Sequence, residues 1–171
     1  MSAVAGAGTL LEALRTAVGF EPLGSPAGNL TLGKGQLDGR PLRIALVENR
    51  IASGSIGKAE VAKLVPLFAI AAREKSPLVL YLDSAGARVS EGLEALGAFR
   101  RLFREALAAR VAGAPLAVVL GRNCFGGASM LAHLAPNPAA FSPLPWLPLT
   151  RQITTPLEPP PHGLRRRSSV V

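Results

Sequence analysis

Cysteine is almost missing from this chain: of 171 residues, only Cys124 is one. An intrachain disulfide is therefore impossible, which excludes the stapled frameworks of small secreted proteins and points to a reducing compartment. Aromatic residues make up 5%, so the core must be built from Leu, Val, Ile and Ala. One Tyr and one Trp are too few to stack on bases, and a nucleic-acid partner is not expected despite the basic balance. Acidic residues number 11 against 19 Lys and Arg, for a formal charge of +8. No apolar run reaches the length of a membrane span, because Glu60, Lys63 and Arg110 break the best candidates. Residues 1–20 carry no basic leader ahead of their apolar residues, unlike a secretory signal. Metal-ligand spacing and a dinucleotide fingerprint are both absent. The expectation is a soluble, cytoplasmic protein without membrane or metal.

What is present is 49% hydrophobic residues, enough for one core and one domain. The chain is organised around residues 77–134, which contain one phrase twice. Leu78 to Leu82 and Leu116 to Leu120 are near-continuous apolar runs, suited to strands covered on both faces. Each run is followed by a small-residue turn and then by helix-forming sequence. Between them Val89, Leu93, Leu96, Phe99, Phe103 and Leu107 recur at helical spacing, which predicts a helix with that face in the core. Strand, helix and strand with so long a connection imply a parallel crossover. Both turns then lie at the carboxyl ends of their strands, the edge where open α/β sheets hold their sites.

The turn residues suggest the chemistry. Ser84-Ala85-Gly86-Ala87 and Phe125-Gly126-Gly127-Ala128 mostly lack large side chains, so a ligand can approach the backbone. If each turn opens a helix, its N–H groups are free and the helix dipole favours negative charge. Two such turns on one edge can hold an oxyanion with main-chain donors alone. Gly and Ala there serve equally as ordinary strand-to-helix turns, a reading that is stronger for either turn alone than for the two together.

At these residues a resemblance appears. Asp83-Ser84-Ala85-Gly86-Ala87-Arg88-Val89-Ser90-Glu91-Gly92 resembles the Gly-Gly-Ala-Arg-x-x-Glu-Gly signature of the carboxyltransferase subunits of acyl-CoA carboxylases. Asn123-Cys124-Phe125-Gly126-Gly127-Ala128 is similar to that family's second glycine turn, including the form found in the β subunit of malonate decarboxylase. The likeness covers residues 33–135, and the one departure is Ala85, where the family often has Gly. It implies an α/β fold of the crotonase-like (ClpP/crotonase) β-β-α superhelix type, here incomplete. It also implies a carboxyltransferase or decarboxylase subunit acting on a malonyl-type thioester of CoA or of an acyl-carrier protein. The oxyanion donors would be the N–H groups of Gly86 or Ala87 and of Gly127 or Ala128. Ser84, Arg88, Gly126 and Gly54 would line the substrate. No tightly bound cofactor is implied; biotin would ride on a partner subunit, and the partners would be other carboxyltransferase or decarboxylase subunits in an oligomer.

Earlier in the chain, residues 10–18 read as a short helix and residues 21–28 as a Pro/Gly connector. Residues 30–37 and 42–47 read as strands joined at Asp38-Gly39, a turn whose two central positions want positive φ. A third short strand is expected at residues 50–53. The helix that follows carries Val61, Leu64, Val65, Phe68 and Ala72 on one face, and Pro66 should kink or divide it. Gly54-Ser55-Ile56-Gly57-Lys58-Ala59 fails as a phosphate loop: its glycines are too close, and Ala59 has no hydroxyl for magnesium. Ser84 lacks the preceding Gly of a nucleophile elbow. His133 has no identifiable acidic partner, and Cys124 reads as a small apolar side chain.

From Pro136 the composition changes. Nine of the 15 prolines follow, and Arg165-Arg166-Arg167 stands almost at the end. Such a segment cannot bury enough apolar surface to offset its ordering entropy. The expected organisation is an N-terminal helix and connector over 1–28, the crotonase-like core over 29–135, and a disordered Pro-rich basic tail over 136–171. Two accounts of the tail stand open: a truncated or frameshifted piece of a longer subunit, or a short protein with a basic interaction tail. A non-catalytic subunit that keeps the fold for assembly is the second functional reading.

Overall fold

A computed structural model describes residues 7–136 and 139–140. The proline-rich segment beyond residue 140, most of the expected disordered tail, lies outside the described residues; within that expected tail, Ala139 and Ala140 instead pair with Val119 and Leu120 as a short strand. Six strands form one sheet in chain order, β1 (Glu21–Pro22), β2 (Leu30–Leu37), β3 (Arg40–Val47), β4 (Leu78–Ser84), β5 (Leu116–Cys124) and β6 (Ala139–Ala140). The first three pair antiparallel, and β3 to β6 run parallel. The β2–β3 hairpin closes at Asp38 and Gly39, both at positive φ (50° and 74°). That geometry matches the strand twist, so the dipeptide sets the register as expected.

The parallel strands are covered on one face by α2 (Lys58–Glu74) and α3 (Gly92–Val111). Leu78, Leu80 and Leu82 of β4 and Val118 of β5 meet Leu64, Phe68, Phe99 and Leu102 there. Each such fully buried side chain contributes roughly 1.5–3 kcal/mol. The other face carries Leu42, Ile44, Leu46 and Tyr81 with Val18, just past α1 (Ala7–Ala17). Among the described residues no helix is long and apolar enough to cross a membrane.

Three expectations about these elements are corrected. Residues 50–53 do not form a strand; Ala52–Gly54 is a turn of 3-10 helix, with Ala52, Ser53 and Gly54 all at positive φ. The buried Asn29 side chain replaces a strand partner. Its Oδ1 accepts from the N–H groups of Arg50 (3.2 Å) and Ile51 (2.8 Å), and its Nδ2 donates to the carbonyls of Ile51 (2.9 Å) and Ser55 (2.8 Å). Pro66 does not divide α2, which runs through it as one helix. Pro66 and Ala62 are both exposed, so the carbonyl that loses its N–H partner faces water.

The third correction concerns α3. Its buried line is Ala95, Phe99, Leu102, Ala106 and Ala109, not the stripe of larger residues. The alanines let α3 approach α2 closely, whereas a leucine line would hold the helices apart. Phe99 belongs to both lines and Phe103 packs partly on the core. Val89, Leu93, Leu96 and Leu107 are left exposed, Leu93 at 85%.

Candidate functional site

The carboxyl ends of β4 and β5 bring the two glycine turns together. The strands keep register from Leu78↔Leu116 to Leu82↔Leu120, then shift so that Ser84 pairs with Cys124. Asp83, which is buried, holds this bulge: its Oδ1 accepts the Asn123 N–H at 3.0 Å. Ser84 then accepts the Phe125 N–H through its carbonyl at 3.0 Å, seating the second turn beside the first. A methyl group on Gly86 would lie 2.7 Å from the Gly127 nitrogen and 2.9 Å from the Phe125 carbonyl oxygen. The missing side chain of Gly86 (φ 93°) is what lets the turns touch.

Of the four candidate donors, hydrogen bonding leaves two. The Gly86 N–H donates to Ser84 Oγ at 3.1 Å, and the Ala128 N–H donates to the Phe125 carbonyl at 3.0 Å. Both residues are buried. The Ala87 and Gly127 N–H groups find no acceptor among the described residues, and both residues are half-buried. A backbone N–H unpaired within the protein and within reach of solvent is available to a ligand. The turns differ in how they free it. The second opens α4 (Gly127–Ala132). The first does not open α3, because Arg88 and a 3-10 turn at Val89–Glu91 intervene. Ala87 is freed instead by a bridge to Ile56: Ile56 N–H donates to the Gly86 carbonyl (2.7 Å), and Arg88 N–H donates to the Ile56 carbonyl (2.9 Å). Alternate N–H groups of an extended chain point to opposite sides, so the Ala87 N–H faces away from Ile56.

The residues read as lining the substrate have other duties. Ser84 is fully buried, with its hydroxyl occupied by Gly86. Gly54 (φ 70°) is buried against the Asp83 carbonyl, where a side chain would collide with backbone. Arg88 is engaged on several sides: Nε donates to Ser55 Oγ (3.1 Å), Nη2 to the Ser55 carbonyl (2.6 Å) and to Glu60, and Nη1 to Glu91 (2.9 Å). Burial disfavours its charge, but its hydrogen bonds to Glu60 and Glu91 hold the guanidinium pKa above its ordinary value. Gly126 is exposed at φ 52°, with only the Ala85 carbonyl near its open side. Of the four, it alone faces the solvent side of the turns freely.

The side chains suited to covalent chemistry are turned from it. Burial, then Asp83, pushes the Cys124 thiol up, away from the thiolate needed for attack. His133 is exposed at the end of α4, with Nδ1 2.7 Å from the Ser129 carbonyl. No cluster of metal-binding side chains occurs among the described residues.

Around the first turn, the Lys58 N–H and then Arg88 hold the Glu91 carboxyl below the usual carboxylate range. A depressed carboxyl contributes stability above its unfolded pKa, and that contribution is lost as pH falls through the lowered folded value. We expect a carboxyl-detected NMR titration to place the Glu91 midpoint below the ordinary glutamate value. A midpoint at or above that value would contradict the Lys58 and Arg88 contacts.

A hairpin and helix followed by parallel strand–helix units, with two glycine turns meeting at the strand ends, define the crotonase-like class of α/β proteins. Residues 7–137 match the carboxyl transferase domain, and the chain belongs to that family. It is 29% identical over 114 residues to the methylmalonyl-CoA carboxyltransferase 12S subunit of Propionibacterium freudenreichii subsp. shermanii, covering 67% of this chain and 22% of that one. It is 30% identical over 110 residues to the propionyl-CoA carboxylase carboxyltransferase subunit of Haloferax mediterranei, covering 64% and 21%. The chain thus spans about a fifth of the length of these relatives. One chain of a Pseudomonas malonate decarboxylase heterodimer superposes with a TM-score of 0.66 at 24% identity, over 76% of this chain and 60% of that one. The transcarboxylase 12S hexamer gives 0.66 at 23% identity, over 76% and 29%.

Proposed function

We propose that this chain supplies the acyl-thioester half of a carboxyltransferase or decarboxylase, with the Ala87 and Gly127 N–H groups as its oxyanion hole. The observation that carries this reading is the contact between the two turns, beside which those two half-buried donors have no acceptor among the described residues. When the carboxylate of a malonyl-type thioester leaves as CO2, or passes to biotin on a partner, the C–C bond breaks and its electron pair moves onto the thioester oxygen as an enolate. A proton from water then ends at the carbon; in the carboxylation direction the same enolate carbon attacks the carboxyl carbon instead. The negative charge develops mainly in the transition state, so donors already in place lower the barrier. CoA or an acyl-carrier protein would carry the acyl group in the cytoplasm, and biotin, where used, would belong to a partner subunit. No tightly bound cofactor is needed on this chain.

The test is titration of the 15N-labelled 171-residue chain with malonyl-CoA. The Ala87 and Gly127 amide resonances should shift together and saturably. Saturable shifts confined to other regions, or no shifts, would overturn the reading.

In an assembly with turnover, Cys124→Ala should change the rate less than about threefold, because the thiol is not asked to attack. Ser84→Ala removes the acceptor of the Gly86 N–H and should lower stability by about 1–3 kcal/mol while leaving substantial turnover. A null Cys124→Ala variant that remains folded would demand a covalent nucleophile.

Assembly with further subunits is the companion proposal. Leu93, Val111 (79% exposed), Phe125 and Met130 leave apolar surface uncovered on α3 and beside the second turn, as interfaces do. Leu93→Asp with Val111→Asp should lower the mass measured by light scattering while circular dichroism stays unchanged. An unaltered mass would remove α3 from the interface. This face also favours the second reading, a subunit that contributes fold and contacts but no turnover; unaltered Ala87 and Gly127 resonances with malonyl-CoA would select it.

A further inference from the structure

We propose that the buried Glu60–Arg88 pair is the device that positions the Ala87 N–H, and that Glu60 is a positioning residue although it lies away from both turns in sequence. The inference rests on the oxyanion reading above, and it absorbs the 54–59 segment, which is not a phosphate loop. Glu60 is fully buried in the first turn of α2. Its carboxylate accepts the Asn29 N–H (3.0 Å), the Gly57 N–H (3.0 Å) and Arg88 Nη2. It therefore holds three separate parts of the chain at one point: the start of β2, the start of α2 and the residue after Ala87.

The geometry then passes through Ile56. Ser55 precedes it and is gripped by Arg88 through both its hydroxyl and its carbonyl, while Asn29 Nδ2 takes the same carbonyl. Gly57 follows it and is tied to Glu60. Ile56 is thus fixed at both ends, and it makes the two backbone bonds that flank Ala87. Ala85 N–H donates to the Ser53 carbonyl at 2.9 Å, anchoring the near end of the turn to the same loop. Two glycines make room for the clamp. A side chain at Gly57 would come within 2.6 Å of Arg88 Nη1, and one at Gly28 would run into the Glu60 carboxylate. A buried carboxylate is costly unless paired and fully hydrogen-bonded, and here three donors meet it. A group so placed restricts the turn to one conformation, which is what preorganised electrostatic stabilisation requires.

The experiment uses the full 15N-labelled chain as wild type, Glu60→Gln and Arg88→Lys, with malonyl-CoA as the probe. Glu60→Gln keeps the volume and an acceptor but removes the charge; Arg88→Lys keeps the charge but cannot hold Ser55 and both carboxylates together. In either variant the Ile56 and Arg88 amides should exchange with solvent at least about tenfold faster, while Leu80 and Leu82 of β4 keep their protection. The malonyl-CoA shift at Ala87 should fall, and that at Gly127 should persist. Even loss of protection across the whole sheet would mean a merely structural role and would overturn the proposal. So would unchanged exchange at Ile56 and Arg88 in both variants. If Glu60→Gln does not fold, Arg88→Lys alone decides. Should wild type show no Ala87 shift at all, the oxyanion reading fails, and the exchange data still decide whether the clamp orders the turn.

Discussion

Gly86→Ala is expected to weaken acyl-thioester binding at the paired turns and, in an assembly with turnover, to lower the rate about a hundredfold or more. The added methyl would sit 2.7 Å from the Gly127 nitrogen and 2.9 Å from the Phe125 carbonyl, both backbone atoms that cannot rotate away. The turns would have to separate, and Ala at φ 93° adds roughly 1–2 kcal/mol of backbone strain. Loss of one oxyanion donor costs about 3 kcal/mol, or about a hundredfold in turnover, and parting the turns would disturb both proposed donors. Malonyl-CoA calorimetry on the chain, with circular dichroism as the check on folding, gives the answer. A folded Gly86→Ala variant that binds as tightly as wild type would show that the contact between the turns is incidental. Gly127→Val is a poorer probe of the same idea. Gly127 does not have positive φ, and its side chain would strike the Phe99 ring in the core, so lost activity there would report overpacking.

Glu60→Ala should be the most destabilising substitution at a polar residue outside the turns. It leaves Arg88 without its buried counter-charge, and the Asn29 and Gly57 N–H groups without an acceptor. Breaking a buried ion pair from one side costs about 3–5 kcal/mol, against a total of about 5–15 kcal/mol for a domain. Urea unfolding followed by far-UV circular dichroism should show the midpoint fall sharply. Glu91→Ala should fall much less, because Glu91 is only half-buried where it meets Arg88, so solvent screens the pair more than it screens Glu60. Equal midpoints for the two variants would mean that the buried network contributes no more than the half-buried one.

The site was legible in part. Both turns could be read directly, because small residues that directly follow buried apolar runs mark the ends of strands, and the Arg-x-x-Glu-Gly continuation is specific. The donors within them could not. Gly86 and Ala87 differ in availability only because Ser84 Oγ captures one N–H and Ile56 orders the other. Gly127 and Ala128 divide in the same way through the Phe125 carbonyl. Arg88 stood out in the sequence as a ligand candidate, but its partner Glu60 lies 28 residues earlier, and no local pattern marks such a pair. A glutamate three residues after Gly57 was the available hint, as half of a capping box.

Interactions close in sequence were settled by the sequence itself. Asp38-Gly39 dictates its own turn, because only residues tolerant of positive φ close a two-residue hairpin. The run at 78–82 is largely buried, and with a helix between it and the run at 116–120 the two strands run parallel; the expected cover on both faces fails for the second run, where Val118 alone is buried and Ala117 is exposed. Tertiary structure decided whatever depends on competition among distant groups. It chose the alanine line of α3 over the leucine stripe, since closeness to α2 counts there as well as side-chain size. It replaced a strand at 50–53 with a loop held by Asn29, because one buried amide satisfied four backbone groups. It carried α2 through Pro66, because the orphaned carbonyl meets water. And among the described residues it left two N–H groups without an acceptor where the turns meet, since hydrogen bonds to Ser84, Phe125 and Ile56 account for the donors around them.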